Sequence, residues 1–163
     1  MVSIWSGKYG EGLNNNMTQT NRFHLAIPAG ELSVAMDFYC NVLGCEKGNS
    51  DFKYPDAWVD INFWGNELTL HSSDPKQKSE GERHNVDMGN VSVPHFGVHL
   101  DRESFDKVKA SCIQHKVKFV DEPYVRFEGQ ELEQETMFIE DPNGNALEIK
   151  TMKNPDSLWN TKK

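Results

Sequence analysis

Two stretches of similar length, residues 22–72 and 93–152, each run strand, amphipathic helix, strands, and this internal duplication constrains the fold more than any other feature. In the first, "RFHLAIP" alternates as a strand. The helix "ELSVAMDFYCNVLG" follows, with Leu32, Ala35, Met36, Tyr39, Val42 and Leu43 at helical spacing and Gly44 as its stop. "AWVDINFWGNELTLH" then reads as two alternating runs joined at Gly65–Asn66, a hairpin signal. The second stretch repeats the order. "PHFGVHL" is a strand, and "ESFDKVKASCIQHKV" is a helix with Phe105, Val108, Cys112 and Ile113 on one face. "VKFVDEP", "TMFIED" and "ALEIK" are strands, the last two joined by the turn Asp141-Pro-Asn-Gly-Asn. One repeat cannot bury its own sheet face, so the two sheets are expected to pair around a shared cavity.

The remaining segments have no such pattern. Residues 1–21, rich in Gly, Asn and Thr, read as a flexible N-terminal tail, with Met17 an alternative start, and 153–163 read as a C-terminal tail. The polar residues 73–92 present no apolar face and read as a linker or mobile loop. That leaves one domain over 22–152, large enough in a chain of 163 residues to bury a core without a structural metal.

Charge excludes some partners. A net charge of −8 argues against nucleic acid or an anionic membrane surface, which call for a surplus of Lys and Arg. Residues 121–141 hold eight carboxylates against Arg126 alone and read as a solvated acidic face. No apolar run reaches secretory or membrane-spanning length, so a cytoplasmic protein is expected. Cys40, Cys45 and Cys112 are odd in number and lack metal-knuckle spacing, which predicts reduced, mostly buried thiols.

Period-two alternation decides which residues share a sheet face. His24 lies opposite Leu25 and Ile27, His95 and His99 lie opposite Phe96 and Val98, and Glu148 lies opposite Leu147 and Ile149. His24 opens the first module, His95 opens the second at the matching place, and Glu148 stands near the second module's end. Pseudo-symmetric pairing would bring all three together. Two imidazoles and a carboxylate with open positions suit Fe(II) first, and Ni(II), Zn(II), Co(II) or Mn(II) as alternatives. His99 lies about 7 Å beyond His95 by strand rise and is expected to line the cavity. Arg126 is expected either to anchor a substrate carboxylate or to pair with nearby Glu residues. Trp58 shares a face with Asp60, Asn62 and Trp64 and is a further cavity-lining residue.

The stretches "FHLAIPAGELSVAMDFYCNVLG", "VPHFGVHL" and "MFIEDPNGNALEI" resemble the vicinal oxygen chelate superfamily, which includes glyoxalase I, bleomycin-resistance proteins and extradiol dioxygenases. The resemblance implies an α+β fold of two βαβββ modules forming a curled mixed sheet around a central metal-binding cavity. It also implies that His24, His95 and Glu148 are metal ligands. Glyoxalase I takes a fourth ligand from the last strand of module one. Aligning the repeats by their glycines, Gly65 plus four gives Thr69 as Gly144 plus four gives Glu148. Thr69 is a poor ligand, whereas His71 is one pleat beyond and is either a fourth ligand or an acid–base residue. The interval from His24 to His71, 71 − 24 = 47 residues, is similar to that of extradiol dioxygenases. Their signature also has a Tyr where this chain has Phe138, and a His where it has Gly129, Gln130 and Glu131.

Three functions follow as expectations. The first is a dioxygenase-like oxidoreductase acting on a small oxygen-bearing substrate, with His71 moving protons. The second is a glyoxalase-type lyase or isomerase using Ni, Zn or Co. The third is a metal-free binding protein of the bleomycin-resistance type. A homodimer is compatible with each.

Overall fold

A computed structural model describes residues 21–53, 55–79, 81–86 and 89–160. Apart from residue 21, the expected N-terminal tail and the Met17 start lie outside the described residues, as do residues 161–163. The first module contains β1 (His24–Pro28), α1 (Leu32–Met36), which continues as a π-helical turn Asp37–Val42, β2 (Glu46–Asp51), β3 (Trp58–Phe63) and β4 (Asn66–His71). A hairpin follows, β5 (Glu82–Val86) and β6 (Gly89–Val93). The second module contains β7 (Phe96–Leu100), α2 (Arg102–Gln114), β8 (Phe119–Arg126), β9 (Gln134–Glu140) and β10 (Ala146–Met152). A 3-10 helix, Pro155–Trp159, lies within the segment read as a C-terminal tail, and Ser157 ties it down by donating to the Glu131 carbonyl at 3.1 Å.

Each module forms a four-stranded mixed sheet with its first strand parallel to its fourth, in the orders β1-β4-β3-β2 and β7-β10-β9-β8. The α+β architecture of two βαβββ modules is therefore present. Leu25 and Ile27 of β1 and Leu68 and Leu70 of β4 face the module's helix, as alternation requires. The equivalent Leu147 and Ile149 join them in one core that runs through both modules. The modules meet through these helix-covered faces: the rings of Phe63 and Phe96 lie 5.7 Å apart, and Ser111 Oγ donates to the Val42 carbonyl at 2.6 Å. The opposite, polar faces of the two sheets consequently turn away from the core.

A second link between modules is built from the Asp141 turn. Asn143 Nδ2 and Asn145 Nδ2 each donate to the Pro28 carbonyl at 2.9 Å, and the Tyr39 hydroxyl donates to Asp141 Oδ2 at 3.0 Å. Burial raises the Asp141 carboxyl above its ordinary range, while donors from Asn145, Tyr39 and Asn143 oppose the shift.

Three local expectations need refinement, and one strand goes unread in the sequence. Within the segment read as a linker or mobile loop, residues 82–86 and 89–93 pair as strands β5 and β6, and Val91 and Ser92 are buried in a run too short and polar to show periodicity. β2, "EKGNSD", carries no apolar residue, and pairing to β3 alone makes it a strand. The β3–β4 turn is Trp64–Gly65, one residue earlier than expected, and both have positive φ, 48° and 88°, as a type I′ hairpin turn requires. Ile113 is exposed, because it stands about 100° around α2 from the buried line of Phe105, Val108 and Cys112. Cys45 and Cys112 are buried free thiols pushed up to about 12 and about 11 by burial, and Cys40 is half-buried. No helix among the described residues is long and apolar enough to cross a membrane.

Candidate functional site

The polar face of module two brings His95 and Glu148 together, with His95 Nε2 3.5 Å from Glu148 Oε2. Glu148 sits on central strand β10 and its side chain is only 7 % exposed, whereas His95, just before β7, is 23 % exposed. β7 can approach β10 this closely because residue 97 is glycine: a Cβ there would overlap the Glu148 carbonyl oxygen. The imidazole is oriented from behind, since His95 Nδ1 is 2.9 Å from the Ser92 carbonyl. A carbonyl only accepts, so Nδ1 carries a proton, and Nε2 is the ring nitrogen turned toward the Glu148 carboxylate. An imidazole nitrogen and a carboxylate oxygen this close are two donors that one divalent cation can bridge.

Three further groups reach Glu148. Thr136 Oγ1 donates to Oε1 at 3.0 Å, Lys150 Nζ lies 2.8 Å from Oε2, and Arg126 Nη1 lies 3.8 Å from Oε1. Phe138 is buried against His95, edge-on with ring centres 5.3 Å apart. Phe138 pairs directly with Glu148 across the sheet, so the position that holds Tyr in the extradiol signature adjoins this site and brings no hydroxyl. His99 pairs with Lys150 on the neighbouring strand. Its pKa is lowered, chiefly by burial and then by Lys150, with Glu148 opposing.

His24 lies on the other module's polar face. Its Nδ1 meets Glu67 Oε2 at 2.9 Å, and the two side chains are 57 % and 51 % exposed. The register repeats the second module: Ala26 stands beside Thr69 as Gly97 stands beside Glu148, and His24 precedes Ala26 by two as His95 precedes Gly97. Thr69 is thus the structural counterpart of Glu148, and its hydroxyl is committed to Asp60 Oδ1 at 2.7 Å. His71 is exposed at the end of β4 on the same open face, with half-buried Trp58 as its cross-strand neighbour. Among the described residues, no three His, Cys, Asp or Glu side chains are grouped closely enough to hold a metal ion. The structure therefore joins His95, Glu148 and Arg126 and leaves His24, His71 and Trp58 on a second surface.

Sequence reading passed over Lys150, Thr136 and Glu67. Lys150 was accessible from it, being two residues from Glu148 and hence on the same face. Thr136 and Glu67 enter only through strand pairing, antiparallel β9–β10 and parallel β1–β4. Between the modules lies a cleft of about 470 Å³, walled by Leu25, Ile27, Phe96 and Ala146, with His95 at one side.

Comparison with known proteins places this geometry. The sequence pattern of the Glyoxalase/Bleomycin resistance protein/Dioxygenase superfamily matches residues 22–149. A crystal structure of a glyoxalase/bleomycin resistance protein/dioxygenase from Alicyclobacillus acidocaldarius is 34 % identical, covers 85 % of this chain and 96 % of its own, and superposes with a TM-score of 0.65. The fosfomycin resistance protein FosX from Listeria monocytogenes shares the fold at 12 % identity, with 81 % and 93 % coverage and a TM-score of 0.59. A mutant FosX complexed with Mn(II) and 1S,2S-dihydroxypropylphosphonic acid matches at 14 % identity, 77 % and 87 % coverage, and a TM-score of 0.56. No curated protein matches the chain. With nearly the whole folded region matched and a relative at one-third identity, the chain belongs to the glyoxalase/bleomycin resistance protein/dioxygenase superfamily.

Proposed function

We propose that the protein is a divalent-metal-dependent enzyme acting on a small oxygen-bearing molecule, with each metal site shared between two copies of the chain. The observation that carries this reading is the His95–Glu148 pair, in which an oriented imidazole nitrogen faces a buried carboxylate. His24 of a second copy supplies the third donor: its Nδ1 is engaged by Glu67, which leaves Nε2 to ligate. Both sheets support such an assembly, since β1 and β7 are edge strands with no hydrogen-bonded outer neighbour among the described residues. The Mn(II) complex of FosX lends support to divalent-metal use on this fold.

His95 and Glu148 of one copy with His24 of the other would hold Fe(II), Mn(II), Co(II), Ni(II) or Zn(II), and the ion would supply Lewis-acid polarisation of substrate oxygens. The chain's own residues supply orientation and proton transfer. Thr136 holds Glu148, Ser92 holds His95, and Phe138 shields the pair from water while offering no proton. Proton movement falls to His71, exposed on the facing module-one surface of the second copy. This favours proton-transfer chemistry at a polarised oxygen over ring cleavage of the extradiol kind.

The test is metal analysis and calorimetry on the full chain, loaded anaerobically with Fe(II), Mn(II) or Co(II). One ion per chain is expected, with affinity weakening as pH falls from about 8 to about 5, because ligands must shed protons. Absence of binding by every ion would overturn the reading. Oxygen uptake coupled to turnover would restore the dioxygenase form of it.

A further inference from the structure

Glu148 divides its two oxygens between different neighbours. Thr136 Oγ1 donates to Oε1 at 3.0 Å and Arg126 approaches the same oxygen, whereas Oε2 faces Lys150 Nζ at 2.8 Å and His95 Nε2 at 3.5 Å. Lys150 stands two residues beyond Glu148 on β10, beside His99 of β7 and Thr136 of β9, on the same face as the carboxylate. A lysine on an open sheet face is free to extend its head into water. This one keeps only 21 % of its side chain exposed and turns its ammonium onto a carboxylate that is 7 % exposed. The repeat supplies a comparison. In module one the counterpart of Glu148 is Thr69 and that of Lys150 is the exposed His71, so the buried ammonium occurs where the buried carboxylate does.

We propose that Lys150 is an internal rival of the metal: it neutralises Glu148 whenever no ion is bound, and it must be displaced for an ion to enter between Oε2 and His95. The inference rests on the metal centre described above. A metal–oxygen bond is about 2.1 Å long, so an ion on Oε2 would lie within about 5 Å of an ammonium left in its place, and two cations that close in a largely buried setting repel strongly. The chain therefore folds with Glu148 already paired and needs no metal to do so. Its affinity for the ion is correspondingly set below what the donors alone would give.

The experiment is paired calorimetry and thermal melting of the full chain, with Co(II) as probe. Lys150→Gln is expected to bind Co(II) about tenfold or more tightly than wild type, and its metal-free melting temperature to fall by about 2–8 °C, the scale of one lost charge-assisted hydrogen bond. At saturating Co(II) the two proteins should melt together, because the deleted contact is made only without the ion. Lys150→Arg returns both quantities toward wild type and so separates charge from packing. Lys150→Met, which keeps the length of the stem, replaces the Gln variant if that chain does not fold. Co(II) affinity equal to or weaker than wild type in either folded variant overturns the rivalry and leaves the metal centre standing. Uptake of Co(II) by the variant alone supports the rivalry in its strongest form. Uptake by neither protein overturns the metal centre, and the rivalry with it.

Discussion

At the scale of single residues, the site is a carboxylate contested by its neighbours. Glu148 is buried, and its Oε1 receives a hydrogen bond from Thr136, itself fully buried. Thr136→Val keeps the shape and removes that donor, so metal affinity is expected to fall about 10–100-fold, as when other outer-shell partners are lost. Calorimetry measures it, and a parallel thermal melt separates the effect from unfolding. His99 gives a pH signature independent of the metal. Its folded pKa lies below the ordinary 6.5 because burial, and then Lys150, disfavour the imidazolium. Its stabilising contribution is therefore present above 6.5 and lost as pH falls through the folded value. Melting temperatures between about pH 5 and 7.5 should slope upward with pH, and His99→Gln should flatten part of that slope.

At the scale of elements, the parallel contact of β7 with β10 sets the geometry of the pair. The backbones pass so closely at Gly97 that any side chain meets the Glu148 carbonyl. Gly97→Ala should push β7 outward and cost about 1–3 kcal/mol or more, as overpacking does. That corresponds to roughly 2–4 °C of melting temperature per kcal/mol for a chain of this size. Metal affinity should fall in the same variant, since His95 is carried at the head of β7. A folded, equally stable Gly97→Ala protein would show that the strands have slack. The helix before β2 has the expected apolar spacing and still widens into a π-helical turn over Asp37–Val42, which propensity does not foretell. Polar strands such as β2 and β5 were illegible for a different reason: nothing in them alternates between oil and water, and their partners alone make them strands.

At the scale of the whole molecule, the two modules bury their apolar faces together and leave the polar faces open. A shared site then has a direct consequence. His24→Ala and Glu148→Gln chains should each lose metal when pure, while their mixture after unfolding and refolding should regain it. Each heterodimer has one intact site, made from His24 of the second variant with His95 and Glu148 of the first. Light scattering should find a dimer in the mixture, and metal analysis should find up to one ion per two chains. Recovery of no metal, with dimers present, would show that His24 does not act across copies.

The duplication, both helices, the Asp141 turn and the placing of His24, His95 and Glu148 on polar faces were legible in the sequence, because side-chain alternation and turn chemistry are local. Even the equivalence of Thr69 with Glu148 followed from counting residues past a glycine, and the strand register agrees. Tertiary structure decided what counting cannot reach. Lys150 and Thr136 converge on one carboxylate because β9 and β10 pair in one register, and Arg126 reaches it from β8. His24 parts from His95 because the apolar faces of both sheets and both helices close on one another, and a chain that buries its oily surfaces inward turns its polar ones out. Which faces meet depends on contacts between residues as far apart as Tyr39 and Asp141, and no local pattern encodes a distance of 102 residues.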